Sequence, residues 1–130
     1  MKHAQFSNFS AQTSAITLLR KKIRYAEEEN NPQMLTLWFV AEQALVEEDL
    51  NQLRRLYHAE FYLLLEVITD TLLPNHWREL CLDNIYRPLV ELNRLSHCQS
   101  SKKQLRHLWL ELSITSNYFQ AYSAENLNIS

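Results

Sequence analysis

Hydrophobic residues recur at helical spacing through the middle of the chain. Between residues 49 and 73 they follow one another at intervals of three or four positions, which is the period of one face of an α-helix; they are Leu50, Leu53, Tyr57, Phe61, Leu64, Ile68 and Leu72. From Phe61 to Ile68 the other sides are also apolar, with Glu66 as the only charge. A helix that is apolar on most sides must be enclosed by its neighbours or by a partner. We therefore predict a central helix over Asp49–Leu73.

The same pattern predicts four further helices. Their expected spans are Ser14 to about Asn30, Pro32 to about Glu47, Asn75 to Ser96 and Ser101 to about Ala121. Pro88 lies inside the fourth span, so that helix is expected to be kinked or broken after Arg87. The polar ends, residues 1–13 and 123–130, are expected to be mobile.

The junction between the second and third helices has two interpretations. No Gly or Pro separates Pro32 from Pro74, so one long bent helix over Pro32–Leu73 is an alternative to two helices. One straight helix of that length would reach about 60 Å. A compact domain of this size has a radius of gyration near 14 Å, which favours a break. Asp49 followed by Gln52 resembles a capping box, so we place the break at Glu47–Asp49.

Glycine is absent from the 130 residues. Average usage of roughly 7% would place about nine glycines in a chain of this length. Glycine supplies the positive-φ turns of β-hairpins and the phosphate-binding loops of nucleotide sites, so its absence argues against β-rich folds and P-loop or Rossmann sites. The sequence therefore predicts one all-α domain over residues 1–130, a compact bundle of about five helices, and no cofactor is expected.

Charge and cysteine content indicate the compartment. The net charge of −2 and the pI of about 6.2 give no global field that attracts nucleic acid or an anionic membrane. Cys81 and Cys98 show neither a disulfide framework nor CxxC spacing, which favours reduced thiols and a cytoplasmic location. No secretory signal is evident at the start, and no apolar run approaches the length of a membrane span.

Glu60 is the residue most suggestive of a site, because it lies on the apolar side of the predicted central helix. A carboxylate there has to find a partner or take up a proton, since an unpaired buried charge is costly. Either Glu60 handles a proton or binds a ligand, or it forms an ion pair between helices or points outward. A pocket with Glu60 in its wall would favour the first interpretation. His58, on the opposite polar face, is expected to be a solvated surface residue.

Catalytic and metal-binding patterns are not evident. The histidines and cysteines at positions 76, 81, 97, 98 and 107 match no zinc spacing, and no ExxH pair typical of di-iron bundles occurs. The serines and cysteines lack a nucleophile elbow or a neighbouring base. We therefore expect no metal and no catalytic residue, and the pattern favours a binding role over an enzyme.

The surplus of Trp, Tyr and Leu on helix faces is typical of a protein with a binding surface. The candidate interface residues are Trp38, Tyr62, Leu63, Leu65, Trp77 and Trp109. We predict a protein-interaction module, such as an adaptor, small regulator, chaperone-like or inhibitor-like protein, that binds another protein or forms a homodimer.

Two other functions remain as alternatives. A nucleic-acid-associated regulator would use a basic patch, for which the candidates are Arg54, Arg55, Lys102, Lys103 and Arg106, although the overall charge makes nucleic acid the less favoured partner. A helical bundle that binds a small molecule would use Glu60 as its polar group.

Overall fold

The computed structural model describes the backbone of residues 2–46 and 48–129 and the side chains of residues 12–46 and 48–121. All regular secondary structure in this part of the chain is helical. The helices are α1 (Lys2–Arg24), α2 (Gln33–Leu45), α3 (Leu50–Thr69), α4 (Asn75–Asn84), α5 (Tyr86–Leu95) and α6 (Gln99–Ile129). The predicted all-α bundle is confirmed.

The central position of α3 is also confirmed. This helix contacts each of the other five helices. Phe61, Leu64 and Ile68 are fully buried, whereas Leu50 and Leu72, at or beyond its ends, are exposed. The core continues from α3 into every other helix and includes Ile23, Trp38, Phe39, Trp77, Cys81, Leu89, Leu108 and Leu112.

α2 and α3 are two helices, so the alternative of one long bent helix is wrong. Asp49 caps α3 with its side chain: Oδ1 accepts hydrogen bonds from the backbone N–H groups of Asn51 (3.0 Å) and Gln52 (3.1 Å). These bonds satisfy two of the backbone donors that the start of a helix leaves free. Glu47, where we placed the start of the break, lies outside the described residues.

α1 ends earlier than predicted, at Arg24, because Ala26 adopts a left-handed conformation with φ of 54°. The Glu27 N–H donates to the carbonyl of Lys22 (2.9 Å), and the Ala26 N–H donates to that of Ile23 (3.3 Å). This pair of bonds is the Schellman motif, which normally has glycine at the left-handed position. In a chain without glycine, alanine occupies that position despite the steric cost of its Cβ.

The outer helices are longer than predicted. α1 begins at Lys2 instead of Ser14, and α6 continues to Ile129 instead of Ala121. No proline or glycine interrupts either stretch, so the helical hydrogen bonds continue. The side chains of residues 2–11 and 122–129 lie outside the described part, and the mobility expected for residues 1–13 and 123–130 stays a prediction.

Two further bounds differ from the prediction. α3 ends at Thr69 rather than Leu73, because Asp70 takes an extended conformation. The predicted fourth helix consists of the two segments α4 and α5, which are separated at Ile85. Pro88 lies in the first turn of α5, where its missing N–H leaves no helical hydrogen bond unmade.

Two buried polar side chains connect the helices through main-chain carbonyls. Trp77 Nε1 donates to the carbonyl of Ile23 (2.9 Å), which joins α4 to the end of α1. Arg78 donates to the carbonyl of Ile68 from Nε (2.9 Å) and Nη2 (2.7 Å), and its Cζ lies 5.0 Å from the ring centre of Phe119 on α6. The Ile68 carbonyl lies in the last turn of α3, where the helix itself supplies no partner. The Ile23 carbonyl accepts from Trp77 in addition to the Ala26 N–H.

Candidate functional site

Two carboxyl groups are buried near each other between α2 and α3. Glu60 of α3 is 1% exposed and Glu42 of α2 is 0% exposed. Glu42 Oε1 accepts hydrogen bonds from Trp38 Nε1 (2.7 Å), one turn earlier in α2, and from Arg20 Nε on α1. Arg20 therefore forms its ion pair with Glu42 and not with Glu60.

The surroundings of Glu60 favour its protonated form. Burial, followed by the charge of Glu42 and a hydrogen bond between the two carboxyl groups, raises the pKa of Glu60 from 4.5 to about 9. Arg87 and Arg20 lower that pKa without overcoming the effect of burial. In the described part of the chain, no N–H or O–H group of another residue donates to Oε2 of either glutamate. The hydrogen bond between the two carboxyl groups requires a proton on one of them, because an ionised carboxylate can only accept.

Glu60 also lies in the wall of a pocket of about 300 Å³, here called the Glu60 pocket. Its lining comes from α2, α3, α4 and α5 and consists of Phe39, Gln43, Tyr57, Glu60, Asp83, Tyr86, Arg87, Pro88, Val90 and Glu91. Tyr57 is buried, and its hydroxyl lies beside the Arg94 guanidinium without forming a hydrogen bond of good geometry with the described residues. The Arg87 Cζ lies 4.6 Å from the ring centre of Phe39, so the guanidinium covers one aromatic wall. This arrangement favours the interpretation of Glu60 as a ligand-binding residue.

α6 carries a second apolar stripe on the side turned away from the core. Its core side is formed by Leu105, Leu108, Leu112 and Phe119. Leu110, Ile114 and Tyr118 are 58%, 50% and 76% exposed and are spaced by four residues, so they lie one above another along the helix. Asn117 and Ala121, also exposed, line a shallow pocket together with Ile114 and Tyr118. We call this surface, formed by Leu110, Ile114, Asn117, Tyr118 and Ala121, the α6 face.

An apolar groove adjoins the α6 face. It is lined by Ile68, Thr69, Thr71, Arg78, Ile114, Thr115, Tyr118 and Phe119, and its volume is about 290 Å³. Ile114 and Tyr118 therefore belong both to the exposed stripe and to the wall of this groove. Arg78 in the wall already donates to the main chain of Ile68. The groove thus continues the α6 face towards the end of α3.

The predicted interface residues fall into three groups. Trp38 and Trp77 are buried in the core and donate hydrogen bonds there, so as partner-contacting residues they are corrected to core residues. Leu63 and Leu65 are partly buried and pack against the core. Tyr62 and Trp109 are 40% and 41% exposed, and the Trp109 ring centre lies 5.9 Å from that of Tyr86 on α5.

The basic candidates are also divided. Arg54 is half-buried and donates from Nη2 to the carbonyl of Leu95 (3.0 Å) and to Nε2 of His97, so it joins α3 to the end of α5. The remaining four, Arg55, Lys102, Lys103 and Arg106, are exposed. Lys103 shares a groove between α3 and α6 with His58. His58 is half-buried rather than fully solvated, because it lies in this groove, and burial lowers its pKa.

The two cysteines differ in environment. Cys81 is buried in the core, and burial raises the pKa of its thiol to about 12. Cys98 is exposed just before α6, where hydrogen bonds with Ser101 lower the pKa of its thiol. Among the described residues, no group of three His, Cys, Asp or Glu side chains is arranged to hold a metal ion.

Sequence reasoning missed two parts of the site. Glu42 was not predicted as a site residue, although its position one turn after Trp38 places it beside a buried indole. The α6 face was also missed, although the spacing of Leu110, Ile114 and Tyr118 is visible in the sequence. The longer apolar stripe on the core side of α6 was assigned instead, and the exposed row was not considered.

No protein-family model matches this chain, and neither a curated protein nor a solved structure matches it at a significant level. In the part of the chain that the structure describes, none of the helices combines the length and the apolar character needed to cross a membrane.

Proposed function

We propose that this chain is a protein-interaction module that binds an amphipathic helix of another protein through the α6 face. The observation that carries the proposal is the row of Leu110, Ile114 and Tyr118, each at least half exposed on successive turns of one helix. Single exposed apolar residues are ordinary on a protein surface, whereas a continuous row beside an apolar groove is typical of a binding surface.

The shape of the surface favours a helical partner. Side chains spaced by four residues form a ridge along α6, and ridges of this kind pack between the side chains of a second helix. The adjoining groove would receive one or two apolar side chains of that partner, in the manner of a helix that lies in a groove. Tyr118, which is 76% exposed, supplies the large amphipathic side chain that is enriched at the energetic centres of interfaces.

Both cysteines are free thiols. As part of the proposal we place the interaction in a reducing compartment, the cytoplasm, where unpaired cysteines are usual.

The test removes the apolar row without disturbing the core. The variant carries Ile114→Lys and Tyr118→Lys, and the matched control carries Leu37→Lys and Val40→Lys, which replace two α2 residues of similar exposure (54% and 57%). Wild type, variant and control are used to capture partners from the native cell, and the affinity of each recovered partner is then measured with purified proteins. Multi-angle light scattering on the three proteins alone reports self-association.

The proposal predicts a recovered partner that binds wild type and control equally and binds the variant at least about tenfold more weakly, the equivalent of about 1.4 kcal/mol. A partner that binds all three proteins equally would show that the α6 face is not the site. A wild-type dimer that the variant dissociates would identify the occupant as a second copy of this chain, in place of another protein.

A further inference from the structure

The Glu60 pocket has two buried polar side chains in its wall whose hydrogen-bonding capacity the described residues do not fill. Glu60 is 1% exposed and its Oε2 receives no hydrogen bond from another residue's N–H or O–H group. Tyr57, one turn earlier on α3 and also buried, has a hydroxyl group beside the Arg94 guanidinium that forms no hydrogen bond of good geometry with the described residues. Buried polar groups are hydrogen-bonded in the great majority of cases, so two such groups in one pocket wall point to a ligand that supplies the missing bonds.

The charges that face the pocket indicate the sign of this ligand. Carboxyl groups enter the lining from α3 (Glu60), α4 (Asp83) and α5 (Glu91), and the lining contains one cation, Arg87 of α5. The Glu91 carboxylate is already bound by Arg94 (2.7 Å) outside the lining. On the far side of Glu60, the negative charge of Glu42 on α2 is balanced by Arg20 on α1. Without a ligand Glu60 is neutral, so an anion would meet the Asp83 and Glu91 carboxylates and would oppose ionisation of Glu60. A cation would be attracted by Asp83 and Glu91 and could replace the Glu60 proton.

The remaining walls are suited to a small organic cation. Tyr57 and Tyr86 contribute aromatic rings in addition to Phe39, whose ring Arg87 already covers, and Pro88 and Val90 contribute aliphatic surface. Aromatic faces attract cations, and the apolar walls would bury the hydrocarbon part of the ligand. The volume of about 300 Å³ lies at the lower end of the usual range for small-molecule pockets, so the ligand must be small.

We propose that the Glu60 pocket binds a small organic ammonium ion whose N–H groups donate to the Glu60 carboxylate and to the Tyr57 oxygen. This site is separate from the α6 face, and the proposal does not depend on the proposed function.

Binding of the ligand replaces the Glu60 proton by the positive charge of the ammonium ion. Without a ligand, Glu60 keeps its proton at neutral pH because burial and Glu42 disfavour the carboxylate. When the ammonium ion enters, its charge stabilises the Glu60 carboxylate, and the Glu60 proton leaves to solvent. The ammonium ion keeps all of its protons, so the total charge within the site is unchanged. The affinity should therefore rise with pH until the amine itself begins to lose its proton.

The test is isothermal titration calorimetry with methylammonium, butylammonium and benzylammonium chlorides at pH 7. Titrations in phosphate and in HEPES give the number of protons released, because the two buffers differ in ionisation enthalpy and neither is a primary ammonium ion. Benzyl alcohol serves as a neutral analogue, and tetramethylammonium serves as a cation without N–H groups. The proteins are wild type, Glu60→Gln, Tyr57→Phe and the control Glu79→Gln, which alters an exposed carboxylate of α4 outside the pocket.

The expected result is binding of at least one N–H-bearing ammonium ion to wild type and to Glu79→Gln, with release of up to one proton. Glu60→Gln should abolish the proton release and weaken binding about tenfold or more, and Tyr57→Phe should weaken it several-fold without abolishing the release. The proposal is wrong if none of the three ions binds at about 10 mM. It is also wrong if benzyl alcohol or tetramethylammonium binds as tightly as the best of them, or if Glu60→Gln binds as wild type does.

Discussion

Replacing Glu60 by glutamine should stabilise the protein at neutral pH. Glutamine has nearly the same shape as a protonated glutamic acid, and its amide N–H groups would donate to the Glu42 carboxylate as the Glu60 proton does. The variant has no carboxyl group that loses a proton on unfolding. Wild type does, because Glu60 is protonated in the folded state and ionised in the unfolded chain at neutral pH.

The magnitude follows from the two pKa values of Glu60, 4.5 in the unfolded chain and about 9 in the fold. A raised pKa means that the folded state binds the proton more tightly, so the free energy of unfolding is highest below the unfolded value and falls as pH rises towards the folded value. Each pH unit in this window removes about 1.4 kcal/mol. At pH 7 Glu60→Gln should therefore exceed wild type by up to about 3 kcal/mol in free energy of unfolding, and the difference should shrink towards pH 5.

The measurement is urea unfolding followed by far-ultraviolet circular dichroism, at pH values from about 5 to about 9. Glu79→Gln, an exposed substitution of the same kind, controls for the loss of one carboxylate and should follow wild type throughout. A Glu60→Gln variant that is less stable than wild type at pH 7, or a difference that does not change with pH, would refute the reasoning. Either result would mean that Glu60 is ionised in the fold and that a cation, Arg20 or Arg87, neutralises it.

Three further substitutions or modifications test the fold. Ala26→Gly should stabilise the protein by about 0.5–1 kcal/mol in thermal unfolding, because glycine removes the left-handed strain of a φ of 54° while adding some entropy to the unfolded chain. Arg78→Met should lower the free energy of urea unfolding by about 2–3 kcal/mol, because the carbonyl of Ile68 loses a charged donor in a buried site. Iodoacetamide should alkylate Cys98 and leave Cys81 unmodified in the folded protein, as measured by peptide mass spectrometry, because the two thiols differ in exposure and in the direction of their pKa shifts.

Each of these three predictions would be contradicted by a particular result. The control for Ala26→Gly is Ala41→Gly in the middle of α2, which should lower the free energy of unfolding by about 1 kcal/mol. If Ala26→Gly lowered the free energy of unfolding by a similar amount, position 26 would not be left-handed. If Arg78→Met matched wild type in stability, the bonds to Ile68 would contribute nothing. Equal rates of alkylation at the two cysteines would show that the packing around Cys81 opens as fast as Cys98 reacts.

Much of the fold was determined by the sequence itself. The apolar period from Leu53 to Ile68 leads to a buried helix in any compact arrangement, because that stripe has no other way to leave water. The capping side chain of Asp49 and the absence of glycine affect the backbone within a few residues. Their consequences for helix bounds and fold class can therefore be predicted without tertiary information. The location of Glu60 on the apolar side of the same helix also followed from its angular position, while the sequence left open whether the side chain is buried or points outward.

The tertiary structure alone decided the chemistry around Glu60. Its proximity to Glu42 depends on how α2 packs on α3, and the ion pair of Glu42 depends on the position of Arg20 on α1. Packing also decided that Trp38 and Trp77 lie in the core, since a tryptophan near a helix start suits a core and an interface equally well. Local propensity acts over a few residues, whereas burial, charge pairing and pocket shape arise where distant segments meet. The periodicity of the chain therefore predicts which faces are apolar, and the packing of the helices determines which of those faces remain open to bind.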